Sequence, residues 1–321
     1  MSTLQLGLTA GVPEAAYHRG VVDGEESLSH SGMKTLLGKS PAHFRHEVDH
    51  PEDREQKKYF DLGSAVHAYV LGAGKELIAE IRRGPATPKA PFGSGEPYDD
   101  FRTKDAQAKR DDAYSQGMVP ILAKDITRVH AMVTQLSKHE LAGRLLAPGS
   151  FTPELSAFAR DPESGVLLRA RLDALRDDLT AVDFKTTSKL AKPASVGRSL
   201  FDLGYYVQDA TYRHVTSLCG VELAGFEFVM QETSPPYAVS VFHVGPQSRE
   251  LGVLRMREAI ALYVECRDAG RWPGYPDESV EVDVPWWALR DAGIGDRPDS
   301  SDVGAVDASD LLDDLERILS A

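Results

Sequence analysis

Residues 167–187 read LLRARLDALRDDLTAVDFKTT, and the parsing of this stretch decides the fold. Two apolar runs with strand character, 166–175 and 180–184, flank a polar turn at Arg176-Asp177-Asp178. Alternate side chains of a strand face opposite ways, so Asp183 and Lys185 share one face while Val182 and Phe184 point into a core. Closing the runs into a hairpin carries Asp173 to the same place. Taken alone, an Asp-x-Lys strand is an ordinary cross-strand ion pair. Two carboxylates and an ammonium on one face can also hold a divalent cation and activate a water beside it. The rest of the chain decides between these readings.

The chain has 321 residues, 42% hydrophobic and 26% charged, the composition of a soluble globular protein of one large domain or two ordinary ones. Its two cysteines, Cys219 and Cys266, lie far apart. That argues against a disulfide framework and against a cysteine-bound zinc or iron–sulfur site, and it suits a reducing cytosol. The N-terminus lacks the basic start and apolar run of a signal peptide, and no run has the length of a membrane span. A cytoplasmic protein with no membrane partner is expected. The net charge of −13 disfavours nucleic acid until its distribution is read. Residues 277–321 hold 13 acidic and 3 basic side chains, so −10 of the total sits in a tail and the body is near neutral. A near-neutral body can still carry a locally basic cleft.

Working outward, residues 1–26 read as a loosely ordered lead-in. Residues 28–37 predict a helix capped by Ser29 or Ser31 with Met33, Leu36 and Leu37 inward, and Ser40-Pro41 opens another with Phe44 buried. Residues 60–71, FDLGSAVHAYVL, predict a buried helix carrying His67, by itself an ordinary core histidine. Residues 83–118 are rich in Pro, Gly, Asp and Lys and read as a mobile insertion. An amphipathic helix is expected over 121–146, then a strand over 151–160 that brings Glu154 near the hairpin, as a third acidic group or an exposed strand residue. A helix over 201–218 places Gln208 and Tyr212 on one face, two strands (225–231 and 238–244) join through Ser234-Pro235-Pro236, and a helix covers 251–267. Residues 280–289 read as an extended segment packed back on the body. Residues 291–310 are Gly/Asp/Ser-rich and read as disordered, and 311–319 (LLDDLERIL) as a short amphipathic helix. That helix could dock a partner or a sister subunit, or fray on its own domain.

The order is thus helix with His67, strand with Glu154, strand with Asp173, strand with Asp183-Phe184-Lys185, helix with Gln208-x-x-x-Tyr212. It resembles the PD-(D/E)xK nuclease superfamily, and within it the exodeoxyribonuclease VIII-like phage and prophage recombination exonucleases. The runs LSHSGMKTLLGKSPAHF, DLGSAVHAYVLG and VDFKTT…YYVQDATY carry the resemblance over about residues 27–244. Leu172 stands before Asp173, where the superfamily name has proline.

The resemblance implies an α/β restriction-endonuclease-like core, a central mixed β-sheet flanked by helices. Residues 1–276 would form the nuclease domain and 277–321 an acidic tail. It implies hydrolysis of linear double-stranded DNA from an end, removing the 5′-ended strand to leave a 3′ overhang for recombination. It also implies Mg²⁺, with Mn²⁺ as a substitute, a ring-shaped homo-oligomer, and a single-strand annealing protein as partner. Asp173, Asp183, the Phe184 backbone carbonyl and His67 would hold the metal. Lys185 would orient or deprotonate the water, Gln208 and Tyr212 would position phosphate or order Lys185, and Lys34, Lys39 and Lys189 are candidate phosphate contacts. A catalytically silent DNA-binding or assembly module, or an endonuclease on the same fold, are the other readings. The charge split yields a first expectation: a chain ending at Pro276 binds duplex DNA more tightly at low salt than the full chain, and an unchanged affinity removes the tail as an inhibitor.

Overall fold

The computed structural model describes residues 5–51, 60–72, 78–284 and 288–289. Three long strands lie at its centre: β7 (Phe151–Arg160), β8 (Leu167–Arg176) and β9 (Thr180–Thr187). β8 pairs antiparallel with both neighbours, β9 pairs in parallel with β10 (Gly225–Glu232), and β11 (Val239–Phe242) closes that edge antiparallel. β1 (Gly7–Thr9) closes the other edge against β7, and the two-residue β4 (Leu28–Ser29) lies parallel to β8 at Leu168 and Arg169. The result is a mixed seven-stranded sheet with helices on both faces, the expected α/β class.

One face is covered by α2 (His30–Gly38), α9 (Tyr205–Leu218) and α10 (Pro246–Ala269), and its core includes Met33, Leu36, Leu172, Phe226, Phe228 and Ile260. The other is covered by α4 (Phe60–Leu71), α6 (Ala123–Lys138) and α7 (Glu140–Leu145) over Ala174, Val182, Phe184 and Val229. Local chemistry sets several helix starts. Ser29 accepts the Gly32 N–H at 3.2 Å at the head of α2, and Ser40 accepts the His43 N–H at 3.3 Å before α3 (Pro41–Asp49), whose first residue is proline. A Cβ at Gly252 would lie 2.2 Å from the Tyr206 carbonyl oxygen, so glycine is what allows α10 to lie this close to α9.

Several expectations are corrected. The lead-in contains β1, the helix α1 (Glu14–Arg19) and a small hairpin of β2 (Val21–Val22) with β3 (Glu25–Glu26), tied to α3 by the Arg45–Glu26 pair at 2.9 Å. The insertion at 83–118 has a core of its own. β5 (Ile78–Ile81) and β6 (Val119–Leu122) pair in parallel, α5 (Lys104–Ser115) packs on them, and Ala79, Ile81, Phe92, Tyr98, Ala106, Ala113 and Leu122 are buried together. The helix expected over 121–146 starts only after β6 and breaks at His139, whose Nδ1 accepts the Ala142 N–H to start α7. Residues 186–199, readable from the sequence as a loop or a short helix, lead into the helix α8 (Pro193–Asp202), and the helix expected over 201–218 starts only at Tyr205 as α9, after Gly204 with φ of 72°. Val280, Val282 and Val284 are exposed and do not pack back. Trp286, Trp287 and residues 290–321, including the expected terminal helix, lie outside the described residues. Among the described residues no helix is long and apolar enough to cross a membrane.

α9 is pinned to the sheet end by Asp161, which is fully buried and takes His214 at 2.8 Å, Arg257 at 2.9 Å and the Ser164 hydroxyl at 2.6 Å. Burial alone would raise this carboxyl, but those donors override it and hold it at about 2. An unfolded aspartate titrates near 4, so the stabilisation is complete above about 4 and is lost as pH falls from there toward 2. Asp161→Asn should therefore cost about 2 kcal/mol at pH 7. In urea titrations its deficit against wild type should close as pH falls from about 4 to about 2; a pH-independent gap would contradict this account.

Candidate metal and phosphodiester site

The site forms where the central strands part. β8 and β9 pair only at Ala174–Val182 and Leu175–Ala181. The next pair in that register would be Asp173 with Asp183, and there the ladder stops. Instead an Asp173 carboxylate oxygen accepts the Phe184 N–H at 2.8 Å. At the other end of β8, β4 occupies the vacated edge at Leu168–Arg169, leaving a gap with Asp173 at one side.

On the β7 side the side-chain alternation slips by one residue. Leu155, Ala157, Ala159, Leu168, Ala170 and Leu172 belong to the α9-side core, yet Phe151 and Ala174 belong to the α4-side core. Strict alternation would keep each strand's set on one face. The slip falls at Glu154 and Asp173. The ladder registers Pro153 with Ala174 and Leu155 with Leu172, which leaves these two acids opposite each other. Glu154 has φ of 51°, a left-handed conformation costing a non-glycine residue about 1–2 kcal/mol.

α4 delivers the third group. A Cβ at Gly63 would meet Thr186 Oγ1 at 2.9 Å, so glycine lets the helix lie close on β9, and His67 follows one turn later on the same face. Its Nε2 is 3.1 Å from Asp173 and its Nδ1 is 3.6 Å from Glu154. Ligand atoms of His67, Glu154 and Asp173 all lie within 4.8 Å of one another. Two carboxylates with an imidazole form a donor set suited to a hard or borderline divalent cation, so the residues present fit one. Burial pushes His67 down, but Asp173 and Glu154 outweigh it and raise it to about 9. Asp173 is held below its ordinary value against its burial by His67, Lys185 and the Phe184 N–H. Glu154 is raised by burial and by Asp173.

Asp183 belongs to a second, adjoining cluster. It is 2% exposed, accepts from Gln208 Nε2 at 2.5 Å and pairs with Lys185 Nζ at 2.7 Å. Burial and the neighbouring Asp173 raise it despite those partners. Lys185 is raised above its ordinary value because Asp183 and Asp173 outweigh its burial. Its side chain is still 26% exposed. Oδ1 takes Gln208, while the buried Oδ2 has the Lys185 ion pair but no hydrogen bond, and the three-ligand group does not include Asp183. The Phe184 group turned toward Asp173 is its N–H. Tyr212 lies one turn beyond Gln208, edge-on to Phe226 at 5.9 Å, where burial holds its hydroxyl well above the usual value. The ring beside Lys185 is Tyr205, 5.6 Å from Nζ and stacked on Phe228. Sequence reasoning missed Tyr205, although it precedes Gln208 by three positions on the same helix. It also missed Arg171, 3.6 Å from Glu154.

Of the lysines proposed for phosphate, Lys34 lies beside Gly204 at the head of α9, next to His30. Lys39 is paired with Glu47 at 2.7 Å, and Lys189 is exposed on the loop after β9. Burial pushes His30, whose Nε2 meets the Gly204 carbonyl at 2.9 Å, down to about 3. It is therefore neutral at pH 7.

The strained backbone makes one outcome specific. Glu154→Gly should raise the urea midpoint in EDTA by the equivalent of about 1 kcal/mol, while Mn²⁺ binding measured by calorimetry weakens. Loss of stability in EDTA would mean that Glu154 serves the fold, not the site.

Residues 29–282 match the family described as "PDDEXK-like domain of unknown function (DUF3799)". A crystal structure from Eubacterium rectale described as "Putative exonuclease" is similar in fold, with a TM-score of 0.56 at 13% identity over 92% of this chain and 99% of that one. No curated protein matches the sequence.

Proposed function

Because the chain belongs to the PDDEXK-like DUF3799 family, we propose that it is a divalent-cation-dependent deoxyribonuclease that digests linear duplex DNA from an end. Removal of the 5′-ended strand, a ring-shaped homo-oligomer and transfer of the 3′ overhang to a single-strand annealing protein belong to the same reading. They rest on the motif order His67, Glu154, Asp173, Asp183-x-Lys185, Gln208. The description "Putative exonuclease" of the E. rectale neighbour is in keeping with the choice of an end-dependent activity.

The observation that carries the proposal is the adjacency of two charge clusters. His67, Glu154 and Asp173 gather donor atoms within 4.8 Å, and the Phe184 N–H couples them to the Asp183–Lys185 pair. A phosphodiester is shielded by its own negative charge, so hydrolysis needs that charge offset and a water held in line. His67, Glu154 and Asp173 would hold Mg²⁺ or Mn²⁺, with Asp183 and the Phe184 carbonyl as further oxygen donors once DNA is bound. Such a cation neutralises the scissile phosphate and acidifies water. Gln208 fixes Asp183, Asp183 fixes Lys185, and Lys185 places its ammonium where it orients the attacking water and offsets charge developing on phosphorus. Water oxygen joins phosphorus as the bond to the leaving sugar oxygen breaks. Lys34 extends the positive charge along the gap toward the head of α9. Arg102, Arg110 and Arg128 line a cleft of about 390 Å³ that also reaches Leu62 on the same helix as His67, a route for the backbone of the bound strand.

The deciding assay uses linear duplex labelled at one 5′ end, with a closed circle as control, in Mg²⁺ or EDTA. Linear DNA alone should be lost, only with metal, and Lys185→Ala should reduce the rate at least about 100-fold. Intact DNA with DNA binding preserved would assign the protein instead to the silent binding modules of this fold.

A further inference from the structure

On the side of α9 turned from the sheet lies a groove against α10, of about 270 Å³, lined by Ala210, Val253 and Met256 and by Arg213, Arg249 and Arg257. The counter-charges sit beneath it. Asp209 takes Arg213 at 3.1 Å and Arg249 at 3.3 Å, and Asp161 takes Arg257 at 2.9 Å. Both carboxylates are fully buried, while the three arginine side chains are 23%, 40% and 34% exposed. The groove therefore presents cations over an apolar lining, with Glu163 offsetting part of the charge at Arg257. Beside it α10 exposes an aliphatic strip, Leu251, Val253 and Leu254 at 39%, 42% and 56%.

The chain itself contains the complement. In residues 311–319, Leu311, Leu312, Leu315, Ile318 and Leu319 recur at helical spacing, with Asp313, Asp314 and Glu316 between them. The reach also matches. At 1.5 Å per residue, Val253 lies about 25 Å from the end of α10 at Ala269, after which Pro273 bonds to Ala42 on α3. Residues 285–310 then separate Val284 from Leu311, a length of chain whose contour exceeds that distance several-fold.

We propose that residues 311–319 dock in the groove between α9 and α10 of their own chain, leucines on the aliphatic strip and carboxylates against Arg213, Arg249 and Arg257. Duplex DNA would meet the same arginines but would leave the aliphatic strip uncovered, so the amphipathic acidic segment is the better match. The groove lies on the opposite side of α9 from Gln208, and docking leaves the catalytic cleft open.

Hydrogen exchange on the full-length protein tests this, in low salt and at several protein concentrations. Amides of 311–319 should be protected about tenfold or more, independent of concentration, and the protection should vanish in Val253→Glu and in Leu315→Asp. Unchanged exchange in β8 and β9 verifies that each variant is folded, and Leu315→Asp leaves the body's sequence intact. Free exchange of 311–319 in wild type, or protection that survives Val253→Glu, overturns the proposal. Protection that grows with concentration assigns the groove to a second copy instead. Protection of 249–257 on adding duplex DNA, with 311–319 exchanging freely, assigns it to nucleic acid.

Discussion

One hydrogen bond organises the centre of this protein: the Phe184 N–H given to the Asp173 carboxylate instead of to the β8 backbone. A ladder that continued past Ala174–Val182 would turn Asp173 and Asp183 into a like-charge cross-strand pair in a closed sheet, an arrangement that destabilises. Parting the strands at that point opens a gap, keeps the amide satisfied, and leaves a carboxylate aimed at α4. The buried N–H and the half-buried carboxylate satisfy each other. His67 can approach because the gap exists and because Gly63 brings α4 down onto β9.

The charges then arrange themselves around that bond. Asp173 is surrounded by His67, Lys185 and a peptide N–H and stays ionised, while Asp183 is buried more deeply and shares its two oxygens between Gln208 and Lys185. Two acids ten positions apart in one hairpin thus have opposite tendencies, one held low and one pushed up. Glu154 joins them only because its backbone takes the left-handed region where β7 and β8 both slip by one residue. Regular strands would have turned that carboxylate to the other face.

Much of this was legible in the sequence, for physical reasons that differ by residue. The Asp183-x-Lys185 pair follows from strand alternation, and Asp173 follows from the short turn at Asp177-Asp178. His67 and Gln208 are on helices whose apolar periodicity is plain, and both reach the gap. Glu154 was undecidable because its position depends on a break in alternation that no local pattern announces. Tyr212 and Gln208 share a helical face, yet Gln208 reaches Asp183 while Tyr212 lies edge-on to Phe226. The helix break at His139 was hidden by apolar residues continuing in phase across it. The core of the insertion escaped because Phe92 and Tyr98 lie in irregular chain, where burial has no period to reveal it.

Strand β6 belongs to two cores at once. Ile121 packs with Val66 and Val70 of α4, and Leu122, its neighbour on the opposite face, packs with Phe92 and Tyr98 of the insertion. Val119 lies with Ile121 on the α4 side, so the strand is a wall common to the insertion and to the helix that carries His67. The ligand group is thereby joined, by side-chain packing alone, to a unit that contributes no ligand of its own.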